Sequence, residues 1–457
     1  MNKQLTTISL RSVAVFSYKG AEEVLKNSLV SIAAAYTEVR LPNSTMSLVL
    51  PFEIITLIID IVGENEDTDF LKELALVSHS FLQICSRHLF ATVELYDADP
   101  ILHVASSKKG FIKLLKGRPE VVKYIRKLKY KTEDKYWYPS PDFHSEDDLL
   151  SPVLPSFLRS ISRLNYLKIN ASGSDWNELN PFLTSAFLHL MHLPTINHID
   201  LSFIRNFPLF TLTSSVVNLQ RLDIQCLTCF EYSEQAGEDS SFVQSEVLPN
   251  IREFNTSDSS LQTTKLLHAK MQDGRPAFNF MGLRRVSMSF TGSDERNVRF
   301  LLQNAKLLEK LHLSVRCDWS LERLHDVIST SIRTLKILGL TVPLYSFLGS
   351  VRLPLGGLCE ALEAMAERNI LETLFFEVAI LGFETIDYIG PTIQKVEDVL
   401  VGPGWSALKQ ISFKVSCEQL TTSDLCEELQ SLPDKYLSHL SKRESVAFNY
   451  SADMLTF

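Results

Sequence analysis

The amino-acid sequence predicts an α/β chain: a small N-terminal helical module, then an irregular solenoid of strand-and-helix units around a curved parallel sheet. Three observations lead there. Apolar residues at helical spacing fill Leu48 to Leu89. Beyond them, text of the form Leu-x-x-Leu-x-Ile recurs at intervals of about 20 to 40 residues. The composition, 45 % hydrophobic and 22 % charged over 457 residues, is that of a well-cored protein, not a disordered one.

The first helix is expected to start at Pro51, since proline suits the first turn. At 100° per residue, Leu57, Ile61, Ile54, Ile58, Val62, Ile55 and Ile59 sweep about 200° of its circumference, leaving Glu53, Thr56 and Asp60 as the polar side. A helix with one packing partner needs little more than about 100°. This one has two faces to bury, and a three-helix module has no internal use for the second. After the polar break Glu64 to Asp67, Asp69 is the expected cap of a second helix carrying Phe70, Leu71 and Leu74, and Ser78 or Ser80 that of a third carrying Phe81, Leu82 and Ile84.

These residues resemble an F-box, in the form common in F-box proteins of mushroom-forming fungi. Leu50, Pro51, Glu53, Ile54, Ile55, Ile58 and Ile59 match the first part of the family pattern, and Leu74, Leu76, Val77, Ser78 and Phe81 the second. Phe81 stands where the family usually has Trp, and His79 where it has Arg or Lys. The resemblance implies a Skp-type adaptor as partner and, through it, a cullin-based ubiquitin ligase. It also implies Leu50, Pro51, Ile54, Ile55, Ile58, Ile59, Leu74, Val77 and Phe81 as adaptor contacts. The plainer alternative is an ordinary amphipathic helical hairpin. The expected organisation is an extension over 1–45, poorly ordered and not needed by the fold, with Met46 a candidate start; an F-box over 46–92; and the solenoid over 93–457.

In the solenoid, Phe90 to Leu95 reads as a strand and 111–130 as a helix followed by a strand around Leu128. The repeating unit then places strand residues at Leu167, Ile199, Leu222, Phe254, Val286, Leu311, Leu335, Leu374 and Ile411, with "SKRESVAFNY" as a last, weaker copy. One strand and one helix per unit describe a leucine-rich-repeat-like solenoid. A helix-rich α/β array without solenoid geometry is the alternative.

No motif for phosphate binding, nucleophilic catalysis or a zinc protease occurs, so no cofactor and no enzymatic chemistry are expected. The lone Cys226-x-x-Cys229 has no second pair at zinc-site spacing, and although His189, His192 and His198 crowd together, the first two lie on a helix running into Pro194, so no metal site is expected. Seven cysteines scattered among apolar segments suit reduced thiols and a cytoplasmic or nuclear location. No apolar run reaches the roughly 20 residues that span a bilayer, so no membrane partner is expected. A net charge of −9 argues against a dedicated nucleic-acid binder, although Lys123 to Lys131 is a basic run containing Tyr124 and Tyr130. The function that the F-box resemblance implies is that of a substrate receptor whose solenoid binds an unidentified protein. Tyr136, Trp137, Tyr138 and Phe143, in a proline-stiffened loop, are the candidate cargo contacts; the alternative is that Trp137 merely covers the edge of the first repeats. A repeat scaffold that never meets a ligase, and an enzyme with an unrecognised site, are the competing classes.

Overall fold

The computed structural model describes residues 51–64, 68–96, 107–132, 152–212, 218–228, 248–270, 274–290, 295–315, 321, 324–347, 350–351, 357–366, 368–381, 386–418 and 423–455. The extension 1–45, Met46, Leu50 and the loop 136–143 lie outside them. Two compact units are present, Met1–Val93 with Phe111–Leu128, and Glu94–Gly110 with Lys129–Phe457. The first unit thus takes in 111–128, which the sequence had assigned to the solenoid.

In the first unit, α1 (Phe52–Glu64) begins where expected, the Pro51 carbonyl accepting the N–H groups of Ile54 and Ile55 at 3.0 and 3.3 Å. Helix α2 (Thr68–Ala75) starts two residues earlier than a cap at Asp69 would place it. Asp69 is therefore not its cap but a first-turn acid, which favours the positive end of the helix dipole and meets Lys72 at 2.9 Å. Helix α3 (His79–Leu89) is capped by Ser78 rather than Ser80, the Phe81 N–H donating to Ser78 Oγ at 3.3 Å. The three helices close a core of Ile55, Ile59, Val62, Phe70, Leu71, Leu74, Ala75, Phe81, Ile84 and Cys85. Burial pushes the Cys85 thiol up to about 11, so it stays protonated and fills space as a small apolar group.

Helices α1 and α3 are also clasped by charge. The Asp60 carboxylate accepts from Arg87, and His88 Nε2 lies 2.6 Å from the same oxygen. The imidazole fits only because residue 63 is glycine: a Cβ there would stand 2.3 Å from the ring. Gly63→Ala would gain about 1 kcal/mol of helix propensity. Displacing a ring that Asp60 holds in place costs more, about 1–3 kcal/mol. A lower melting temperature is the expected result in thermal denaturation, and a higher one would show that His88 moves freely.

The sheet runs through β1 (Thr92–Tyr96), β2 (Lys127–Lys131), β3 (Tyr166–Asn170), β4 (His198–Ser202), β5 (Arg221–Gln225) and β6 (Glu253–Ser257). It continues through β7 (Arg285–Phe290), β8 (Lys310–Val315), β9 (Ile337–Phe347), β11 (Thr373–Leu381), β12 (Gln410–Glu418) and β13 (Ala447–Leu455). These twelve strands lie in sequence order in an open sheet, and β10 (Ser350–Val351) folds back on β9 in antiparallel fashion. From β3 to β13 the pairings of the main path are parallel. Between β1 and β2 come α4 (Ser107–Gly117) and a 3-10 turn, Pro119–Tyr124. Helices α5 (Val153–Ser160), α6 (Pro181–Met191), α7 (Ser260–Leu267), α8 (Glu295–Asn304), α9 (Leu324–Ile328), α10 (Leu358–Ala366) and α11 (Ile386–Val401) connect later strands. Helices α12 (Ser423–Tyr436) and α13 (Ser438–Ser441) precede β13. Parallel strands in sequential order, with the right-handed crossover that is the rule for such units, place the described connecting helices on one face of the sheet. This is a solenoid-like α/β arrangement.

Register confirms eight of the nine strand positions read from the sequence. Leu167, Ile199, Leu222, Phe254, Val286 and Leu311 are Cα partners in series. The series continues through Leu338, Leu374 and Ile411. Leu335 was the wrong leucine. It sits three residues ahead of Leu338, where Leu164, Leu308 and Leu371 sit in their own repeats, all fully buried. The residue two after the central position, as in Ile169, Leu201, Leu313 and Leu340, is buried too. Each Leu-x-x-Leu-x-Ile unit thus supplies one turn leucine and two strand residues to the core. Adjacent repeats are also tied by a shared carbonyl: Asn165 O accepts from both Asn197 and His198 at 3.1 Å, and Glu309 O from both Lys336 and Ile337 at 2.9 and 3.0 Å.

Candidate interaction surfaces

The wide apolar arc of α1 splits in two. Ile55, Ile59 and Val62, within about 60° of one another on the helical wheel, are buried at 1 %, 0 % and 8 % exposure. Leu57, Ile61 and Ile54 form a second arc of about 60° that lies at 50 %, 51 % and 39 % exposure, with half-buried Ile58 between the two. Phe52 and Leu76 add exposed apolar surface to the same unit, Leu76 at 88 %. Covering Leu57, Ile61 and Ile54 would recover roughly 1 kcal/mol each, about half the value of burying a fully exposed aliphatic side chain.

Of the nine residues assigned to adaptor contact, Pro51 and Ile54 are exposed, while Ile58 and Val77 are half-buried. Ile55, Ile59, Leu74 and Phe81 belong to the core of the module, and a partner could reach them only by opening it. The exposed large apolar residues of the unit are Leu57, Ile61, Phe52 and Leu76, with Ile54. The width of the arc was visible in the sequence; which half faces inward depends on where α2 and α3 lie.

The sheet face opposite the connections carries polar side chains in rows. On β3 to β7 they neutralise one another across strands. Lys168 meets Asp200 at 2.9 Å, and His198 and Arg221 meet Asp223 at 2.8 and 3.0 Å. Glu253 lies between Arg221 and Arg285, at 3.3 and 3.0 Å. Opposite charges directly across a ladder stabilise it. Burial acts to raise the Asp223 carboxyl, but hydrogen bonds from His198 and Arg221 outweigh it and hold the group below its ordinary value of 3.8. A carboxyl depressed in the folded state stabilises above its unfolded pKa and loses that contribution as pH falls through the folded one. The chain should therefore lose stability below about pH 4, and Asp223→Asn should flatten this loss in acid-titrated melting curves. Unchanged acid dependence in the variant would remove Asp223 from the account.

Further along, the His312 ring lies over Gly339, where a Cβ would be 2.5 Å from Nδ1, with Nε2 3.1 Å from Thr341 Oγ1. Burial holds this imidazole below its usual value. Glu377 accepts from Thr341 and Ser416 and pairs with Lys414, each at 3.2 Å. A small apolar cavity between Leu340, Phe376, Ile393 and Phe413 has Glu377 as the one titratable residue in its lining.

Tyr136, Trp137, Tyr138 and Phe143 lie outside the described residues. Tyr130, from the basic run, is 1 % exposed, packs edge-on to Phe187 at 4.9 Å and lies beneath the Lys108 ammonium at 4.3 Å, so it offers no free ring for a base to stack on. The three histidines are apart in role: His189 is on α6, His192 closes that helix and faces Thr211 O at 3.2 Å, and His198 holds Asp223. Cys226 follows β5 directly, at φ 49°. Among the described residues no group of three or more His, Cys, Asp or Glu is placed to hold a metal ion, and no helix is long and apolar enough to cross a membrane. No protein-family model matches the chain, and no curated protein matches it.

Proposed function

We propose that this chain is the substrate-recognition subunit of a Skp–cullin–F-box ubiquitin ligase. The helical unit would dock the Skp adaptor, and a leucine-rich-repeat-like solenoid would hold the protein to be modified. The observation that carries the reading is the outer face of α1: Leu57, Ile61 and Ile54 stay exposed on a module that has already closed its own core. Apolar residues clustered on one helix face, with no packing task inside the unit, favour a protein partner. The order of the F-box-like residues around them, Leu50-Pro51-x-Glu53-Ile54-Ile55, selects the adaptor as that partner. Transfer chemistry in such an assembly belongs to other subunits, so this chain needs no catalytic centre.

Reconstitution tests the reading. The purified chain, mixed with Skp adaptor, cullin, ring subunit and the ubiquitin-conjugating enzymes, is expected to be ubiquitinated itself in an adaptor-dependent way. Equal modification with and without adaptor, or none at all, would favour a repeat scaffold outside the ligase.

A further inference from the structure

The N-terminal edge of the sheet between β6 and β9 concentrates positive charge in a chain whose net charge is −9. Arg252, Lys306, Lys310, Arg333 and Lys336 are all exposed, and none of them has an ion pair among the described residues. They come from three repeats, those of β6, β8 and β9, and are brought together by register. Arg252 immediately precedes β6, Lys310 opens β8 and Lys336 immediately precedes β9; Lys306 and Arg333 lie in the turns just ahead of the last two. Neighbouring strands lie about 4.8 Å apart, so the cations form one strip. Arg284 and Arg285, at the start of β7, add two more guanidinium groups that remain 55 % and 61 % exposed while paired to Glu309 and Glu253.

Exposed apolar side chains lie among them. Met281 and Leu307 stand in the turns that lead into β7 and β8, and Ile370 in the turn before β11, at 58 %, 51 % and 38 % exposure. Cations in excess of the carboxylates on this edge, beside open aliphatic groups, complement a segment that alternates carboxylates with apolar residues. Polyphosphate fits less well. Glu253, Glu309 and Glu372 occupy the same edge. A nucleic-acid backbone, with a charge about every 1.7 Å, would run into them, whereas a peptide can place its acids only opposite the cations.

We propose that this strip is a docking surface for an acidic, apolar-rich segment of a partner protein. Calling that segment the ligase cargo rests on the function proposed above; the binding itself does not, and it can be read with no adaptor present.

The test uses the full chain and a fluorescein-labelled peptide of repeating Glu-Leu-Glu triplets, followed by fluorescence anisotropy. Binding is expected, weakening at least about tenfold between about 0.05 and 0.3 M salt as the exposed charges are screened. A peptide with Gln in place of Glu is expected not to bind. Reversing Lys306, Lys310, Arg333 and Lys336 to Glu together should abolish binding without changing the melting temperature or adaptor capture. The four Gln variants combined serve if the reversal misfolds, and should weaken binding at least about tenfold. Three results would overturn the proposal: no signal up to about 100 μM chain, a scale on which mM affinity is already marginal; equal binding by the Gln variant; or tighter binding to duplex DNA or to vesicles containing phosphatidylserine than to the acidic peptide.

Discussion

Replacing both Leu57 and Ile61 with aspartate is expected to abolish capture of a Skp adaptor while leaving the melting temperature of the chain unchanged. Both side chains are about half exposed and contribute little to the module's own core, so the free chain tolerates the charges. In the complex the same two carboxylates would be stripped of water with no partner, at a cost of several kcal/mol. A loss of about 4 kcal/mol weakens binding about a thousandfold. The comparison that gives the result its meaning is Ile59→Asp. That side chain is fully buried, and an uncompensated charge there should destabilise the helical unit by about 3–5 kcal/mol. It would lose adaptor because it unfolds, with a lowered melting temperature as the mark. If the Leu57/Ile61 double variant binds adaptor as the wild type does, the outer face of α1 is not the docking face.

Glu397→Ala should be among the most destabilising single changes in the second unit. Glu397, on α11, is 1 % exposed and accepts the N–H groups of His439 and Leu440 at 2.7 and 2.9 Å. These are the first free N–H groups of α13, so a carboxylate from one helix caps another. The His439 ring and Gln394 approach its second oxygen, both at 3.1 Å, so the buried charge is fully satisfied. Removing it leaves two N–H groups without an acceptor, at about 1–3 kcal/mol each. A loss of about 3–5 kcal/mol in denaturant unfolding is expected. Glu397→Gln keeps one acceptor and should recover about half of it. A loss under about 1 kcal/mol for the alanine variant would mean that water replaces the carboxylate.

The solenoid was legible because its signal is local. A turn leucine and two alternating strand residues lie within six positions of the chain, and each such group emerged as a strand; the weak last copy forms the edge strand Ala447–Leu455, whose described residues are exposed or half-buried. Leu335 shows where locality ends. Leu335 and Leu338 have the same spacing, and only pairing with Leu311 and Leu374 on neighbouring strands distinguishes them. The same limit hid which half of α1 faces inward, since that is decided by Phe70, Leu74 and Phe81 on other helices. Glu397 reads locally as one acid on an amphipathic helix; its role depends on an N-terminus 42 residues away. The basic strip was invisible for a related reason, because Arg252, Lys310 and Lys336 belong to different repeats and become neighbours only through register.

The most direct measurement is size-exclusion chromatography with light scattering on the purified full chain mixed with purified Skp adaptor. The account predicts a one-to-one complex at micromolar concentration, seen as a mass equal to the sum of the two and lost in the Leu57→Asp, Ile61→Asp variant. Two separate peaks at tens of micromolar, from a chain that melts cooperatively, would contradict it.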